Sequence, residues 1–251
     1  MFQRILWLND LDPGAQSARP WLERRAHIDP DVQVWVVAVG EGRRAGVEAA
    51  AAALRTARVA AEARELPGRP AEAAAVLVAE HAVQLVVVGQ GQKKPLDRWL
   101  RGGVARRLLR GTAASLLMVA PGAPSAFADV VMGVADDDGS VAHLWDAAQA
   151  VAPGAAVRVV GVLVPAESDT GRDEVFDRLL ARVRDAAGGT LPPGWSVEVV
   201  AASDTLEGML YAAAQAELLV LATGEGRAGG VEAAVAEGAV EGAPCSVLVL
   251  R

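Results

Sequence analysis

The sequence predicts an α/β chain of two tandem repeats, each a parallel sheet with helices on both faces. Short runs of Val, Leu and Ile without polar alternation recur along it, as in "VQVWVVAV" (Val32–Val39), and such runs suit strands buried on both faces. Ala- and Arg-rich segments of helical character lie between them, such as "AEAAAVLVAEHA" (Ala71–Ala82), and strands alternating with helices imply a parallel sheet. The same succession of segments occurs twice, the mark of a duplicated unit.

In chain order, "RILWLND" (Arg4–Asp10) opens the first copy and "DVVMGVADD" (Asp129–Asp137) the second. "VQVWVVAV" pairs with "VRVVGVLV" (Val157–Val164), both at an offset of 125. "GRP" (Gly68–Pro70) suits the start of the helix that follows, since proline is tolerated in a first turn. "QLVVVGQG" from Gln84 pairs with "ELLVLATG" from Glu217 at an offset of 133, and "VARRLLRGTAASLLMV" from Val104 with "VAEGAVEGAPCSVLVL" from Val235 at 131. The offset grows and then shrinks, which predicts an insertion in the middle of the second copy and a short deletion in its glycine loop. "GVARRLLRG" (Gly103–Gly111) reads as a helix, and "SLLMVA" and "SVLVLR" as the closing strands. The linker-like "APGAPSAFAD" (Ala120–Asp129) sets the boundary near residue 125, giving domains 1–122 and 128–251.

Composition narrows the function. The chain has 251 residues, 52% of them hydrophobic and 22% charged, and no apolar run approaches the ~18 residues of a membrane span. The N-terminal apolar run is too short for a secretory signal, so a soluble, cytoplasmic protein with no membrane partner is expected. One cysteine, Cys245, and three scattered histidines, His27, His81 and His143, offer no metal-ligand spacing and no disulfide. Residues 1–125 carry 17 Lys+Arg against 12 Asp+Glu, and residues 126–251 carry 7 against 19. An anionic ligand is favoured by the first half and repelled by the second.

The stretch "VGQGQKKPLDRWLRGG" (Val88–Gly103) follows a strand and precedes "GVARRLLR", and ligands of such sheets bind at the carboxyl ends of the strands. Gly89 and Gly91 would let the backbone turn with positive φ and let amides approach an anion. Gly102 and Gly103 would lie just before a helix whose amides and dipole attract negative charge. Lys93, Lys94, Arg98 and Arg101 add positive charge. The competing reading is a strand-to-helix turn with a solvated basic face; a loose glycine pattern leaves both open. No G-x-x-x-x-G-K-[ST] occurs, and no G-x-G-x-x-G follows the first strand.

"GRPAEAAAVLVAEHAVQLVVVGQGQKKPLDRWLRGGVARRLLRGTAASLLMVAP" (Gly68–Pro121) resembles the second half of a universal stress protein domain. Members of that family carry a G-2x-G-9x-G-[ST] motif for the phosphates and ribose of ATP. Here it falls on Gly89, Gln92, Gly102 and Gly103, with the spacing kept, glutamine in place of the second glycine and glycine in place of the hydroxyl residue. The resemblance implies a Rossmann-like fold of five parallel strands per repeat, with the last strands pairing between repeats as an internal pseudo-dimer that can double into a homodimer. It implies ATP or another adenine nucleotide, with Mg²⁺, bound by the first domain. Gly89, Gly91, Gln92, Gly102, Gly103 and the Val104 amide would cradle phosphates, with Lys93 or Lys94 offsetting their charge. Asp10 at the end of the first strand and the backbone of Val39 at the end of the second would meet the base, although a turn role for Asp10 in "NDLDPG" weighs equally from the residues alone.

In the second copy Ala135 takes the place of that aspartate, and Ala222, Glu225, Ala233 and Ala234 take the motif positions. A second domain that does not bind ATP is expected. The function implied is that of a stress-response nucleotide binder rather than an enzyme, since no nucleophile or acid–base pair stands out. The alternative is a nucleotide-free scaffold of the same fold acting through protein partners. Trp7, Trp21, Trp35 and Trp145 read as core residues, and Trp99 as a possible cover for a ligand. "ADDDGS" (Ala135–Ser140) lacks the remaining ligands of a calcium loop, and the arginines from 98 to 110, without interleaved aromatics, do not predict nucleic-acid binding.

Overall fold

The computed structural model describes residues 2–90, 95–134, 141–164, 171–223, 231 and 233–251, with backbone alone over 95–102. The chain divides into two compact units, Met1–Ala126 and Phe127–Arg251.

The first unit runs β1 (Arg4–Leu8), a 3-10 turn η1 (Ala15–Ala18), α1 (Arg19–Ile28), β2 (Gln33–Val39), α2 (Arg44–Thr56), β3 (Ala60–Leu66), α3 (Pro70–His81), β4 (Leu85–Gly89), α4 (Pro95–Gly111) and β5 (Ser115–Val119). Its strands lie in the order β3-β2-β1-β4-β5, each pair parallel. The central strands β1, β2 and β4 are the continuous apolar runs, because helices cover both of their faces and leave no solvated side to record as alternation. Ile5, Leu6, Trp7, Val34, Val36, Leu85 and Val86 are fully enclosed. Trp21 on α1 and Trp35 on β2 are also in the core, Trp35 stacking on the His81 ring at 4.7 Å. The outermost strand β3 reads "AAEAREL", and Glu62 and Arg64 face water as an ion pair of 3.1 Å. It has no apolar run and left no strand signal in the residues.

Pro70 opens α3 behind an extended Arg69, as the "GRP" triplet implies, and the helix ends on Ala82 in the left-handed region at φ 47°. α4 corrects an expectation. It begins at Pro95, so Gly102, Gly103 and Val104 fall inside its span rather than at its start. The physical reason is that "PLDRWLR" is itself a competent first two turns, with proline at the opening position, and two glycines, at about 1 kcal/mol each against alanine, do not outweigh it.

The second unit runs β6 (Asp129–Val134), α5 (Val141–Val151), β7 (Ala156–Leu163), α6 (Arg172–Ala186), β8 (Trp195–Ala201), α7 (Thr205–Ala213), β9 (Leu218–Ala222), α8 (Ala233–Gly242) and β10 (Ser246–Leu250). Its strand order, β8-β7-β6-β9-β10, repeats the plan of the first unit, again with parallel pairs. The extra length of this copy includes residues 187–194 between α6 and β8, where the first unit has only 57–59 between α2 and β3. Trp145 on α5 packs on Trp195 of β8 at 4.0 Å. Among the described residues no helix is long and apolar enough to cross a membrane.

Candidate functional site

In the first unit the chain lays down β1, β2 and β3 to one side and then crosses back to place β4 and β5 on the other. The strand order therefore reverses between β1 and β4, and the crevice outside their carboxyl ends is where an open α/β sheet admits a ligand. Leu8 is in register with both Val37 of β2 and Val88 of β4. Asn9 and Asp10, the next residues of β1, and Gly89, the last of β4, thus meet at this crevice.

Gly89 is required there by close approach. A Cβ at this position would lie 2.5 Å from the Gly14 carbonyl oxygen and 2.6 Å from Ala15 Cα, both backbone atoms of the segment leading into η1. Its φ is not positive, so the expectation that Gly89 serves a left-handed turn is corrected: it makes room for η1. Ser17 secures that segment, its hydroxyl donating to the Gly14 carbonyl at 2.7 Å.

The loop after β1 is a series of side-chain turns. Asn9 Oδ1 accepts the Leu11 N–H at 2.9 Å, Asp10 Oδ1 the Asp12 N–H at 3.0 Å, and Asp12 Oδ1 the Gly14 N–H at 3.2 Å. Asn and Asp form such turns readily, and they let Leu11 adopt a left-handed φ of 65°. The Leu11 side chain then packs where any side chain on Gly46 of α2 would be. Asp10 is exposed, so its carboxylate both shapes the turn and stays open to water. Its carbonyl accepts from Arg43 Nη1. The Arg43 side chain passes over Gly40, and its backbone N–H donates to Glu65 Oε1 at 2.7 Å. Val39, half-buried at the end of β2, lies beside Leu66 of β3. A cleft of about 310 Å³ opens next to it, lined by Gly40, Glu41, Gly42, Glu65, Leu66 and Pro67.

Of the expected site residues, the structure brings Asp10, Val39 and Gly89 to neighbouring strand ends. Gly102, Gly103 and Val104 lie within α4, where amides bond to carbonyls four residues back. Gly91, Gln92, Lys93 and Lys94 lie outside the described residues, as does the side chain of Trp99.

Asn9 is a site residue that sequence reasoning missed. It is 1% exposed, and among the described residues its Nδ2 has no hydrogen-bond partner. The signal was a polar residue directly ending an apolar run, overshadowed by Asp10 beside it. This free donor and the positive first half fit a ligand that carries oxygen acceptors, while the Asp10 carboxylate, an acceptor itself, fits a donor on that ligand. Among the described residues no three His, Cys, Asp or Glu side chains gather as a metal would require.

The corresponding end of the second unit is occupied by its own chain. Val231, 2% exposed, donates its N–H to the Ala222 carbonyl at 2.9 Å and bridges Thr223, whose hydroxyl bonds to the Leu250 carbonyl at 3.1 Å. Ala135 and Glu225 lie outside the described residues, while Ala233 and Ala234 belong to α8.

Residues 14–120 match the model of the Universal stress protein family. Over the full chain, the crystal structure of a universal stress protein from Archaeoglobus fulgidus DSM 4304 superposes with a TM-score of 0.72 at 14% identity, covering 98% of this chain and 95% of that one. A protein assigned to the universal stress proteins from Pseudomonas aeruginosa UCBPP-PA14 does so at 0.68 and 15%, covering 99% and 93%. The cytoplasmic domain of a prokaryotic cation chloride cotransporter reaches 0.63 at 11%, covering 99% and 95%. At these identities the likeness is one of fold, a Rossmann-like α/β fold used for more than one purpose. Among curated proteins, none matches this sequence. The matched segment spans η1 through β5 of the first unit, and over it the chain is similar to the universal stress protein family.

Proposed function

We propose that the first unit binds an adenine nucleotide, ATP with Mg²⁺, in the crevice at the ends of β1 and β4, and that the second unit is structural or regulatory. The observation that carries this reading is the placement of Asp10 and Gly89 on adjoining strand ends at the reversal of strand order, in the unit that matches the family. The base lies toward Asp10 and Val39, and the phosphates toward Gly89 and the basic stretch after it. The protein is a nucleotide-responsive binder in the cytoplasm rather than an enzyme.

A nucleotide-free scaffold is the second reading. It is favoured by the position of Gly102 and Gly103 inside α4, which commits their amides to the helix. One experiment separates the two. Adding ATP and Mg²⁺ should raise the thermal midpoint, since ligand at 100 times its Kd stabilises by about 2.7 kcal/mol. Nucleotide should also leave the purified, denatured protein. No shift at millimolar ATP together with no released nucleotide supports the scaffold.

A further inference from the structure

We propose that Asn9 is a ligand-contacting residue, its Nδ2 donating a hydrogen bond to an oxygen of the nucleotide's α-phosphate; this rests on the nucleotide reading above. The side chain is oriented without ambiguity. Oδ1 accepts the Leu11 N–H at 2.9 Å and faces Gln16 Nε2 at 3.4 Å, which only the oxygen of the amide can do. The backbone N–H is bonded to the Val37 carbonyl at 2.8 Å. Nδ2 is the donor left over, in a residue that is 1% exposed.

A buried donor with no acceptor carries the full cost of its lost hydration, and native structures keep such groups where a water, an ion or a function answers them. Turn formation does not explain this one, because Oδ1 alone makes the turn, and a serine or an aspartate would do the same. The position says which acceptor it meets. Asn9 is level with Gly89 across the β1–β4 pair, one step beyond Leu8 and Val88, and its side chain lies on the face covered by η1. It therefore stands between the base side at Asp10 and the phosphate side at Gly89. An anionic oxygen gives a short, charge-assisted bond to such a donor. Gln16 is only half-buried, and its 3.4 Å contact to Oδ1 is beyond the usual range, so it is the side chain that yields when ligand enters.

The test uses the full chain and three probes: ATP, AMP and adenosine. Asn9→Asp keeps an oxygen for the Leu11 N–H and removes the donor; Asn9→Ser does so without adding charge. Both variants should bind ATP and AMP about tenfold more weakly, while adenosine, which has no phosphate, binds all three proteins alike. In ¹⁵N-labelled wild-type protein the Asn9 side-chain amide protons should shift on adding AMP and stay put with adenosine, a readout that survives even if a variant fails to fold. If wild type binds and Asn9→Ser matches it within twofold, or if only the charged variant is weakened, the proposal is overturned. If wild type binds no nucleotide at all, the functional reading has failed instead.

Discussion

Arg43 donates from Nη1 to the main-chain carbonyl of Asp10, joining the loop after β1 to the start of α2. The same residue is anchored at its backbone by Glu65 and its side chain lies along Gly40, so one residue, through side chain and backbone together, touches the ends of three strands. A hydrogen bond from a charged donor in this half-exposed setting contributes about 1 kcal/mol. Arg43→Ala should lower the urea midpoint of the first unit by about 0.5 M with an unchanged slope, the shift that about 1 kcal/mol gives at a slope of about 2 kcal/mol/M. An unaltered midpoint would show the contact to be idle.

Two glycines should respond differently to an added methyl. At Gly89 the obstruction is backbone, so Gly89→Ala must displace η1 and should destabilise by about 3 kcal/mol or more. At Gly133 of β6 the obstruction is the ends of the Leu221 and Met209 side chains, which can rotate, so Gly133→Ala should cost about 1 kcal/mol. Equal losses in thermal denaturation would contradict this account.

Asp29 and Arg25 form a partly buried pair at 3.0 Å. Burial pushes the Asp29 pKa up, but the Asp31 N–H and the Arg25 guanidinium outweigh it, and the net direction is down. A lowered carboxyl pKa stabilises the fold above the unfolded value, and this contribution disappears as pH falls through the folded one. Stability of the first unit should therefore decline below about pH 4, the ordinary carboxylate range. Asp29→Asn should cost about 2 kcal/mol at neutral pH by leaving buried Arg25 without its counter-charge. The gap between variant and wild type should close in acid.

The thiol of Cys245 is buried, and desolvation pushes its pKa up to about 11. Thiolate is the reactive form. Ellman's reagent at pH 8 should leave the native thiol unmodified over minutes and label one per chain in guanidinium. Rapid native labelling would refute the burial of this residue.

The sequence made the centre of each sheet readable and its margins obscure. β1, β2 and β4 are enclosed on both sides, so selection for burial writes them as unbroken apolar runs. β3 and β8 each have one wet face and sit last in their unit, so "AAEAREL" and "WSVEVVA" mix charge with alanine and valine and escape a pattern search. At the site, Asp10 and Gly89 were legible because strand ends follow from the runs before them. The reason for Gly89 was not, since its neighbours Gly14 and Ala15 lie more than seventy positions earlier in the chain and only folding brings them close. Asn9 was hidden for a related cause: an unpaired amide is a property of surroundings, invisible in a string of letters. The start of α4 was obscure because two adjacent glycines resemble a loop ahead of a helix, whereas the proline and helix-forming residues before them already open it at Pro95.

The charged face of β3 bears on solution behaviour. A foreign strand docking along the Glu62–Arg64 margin would have to strip water from both ions and break their pairing before gaining a single ladder bond. A margin so hydrated resists accretion of misfolded chains, a useful trait in a valine-rich protein whose neighbouring strands would otherwise invite it.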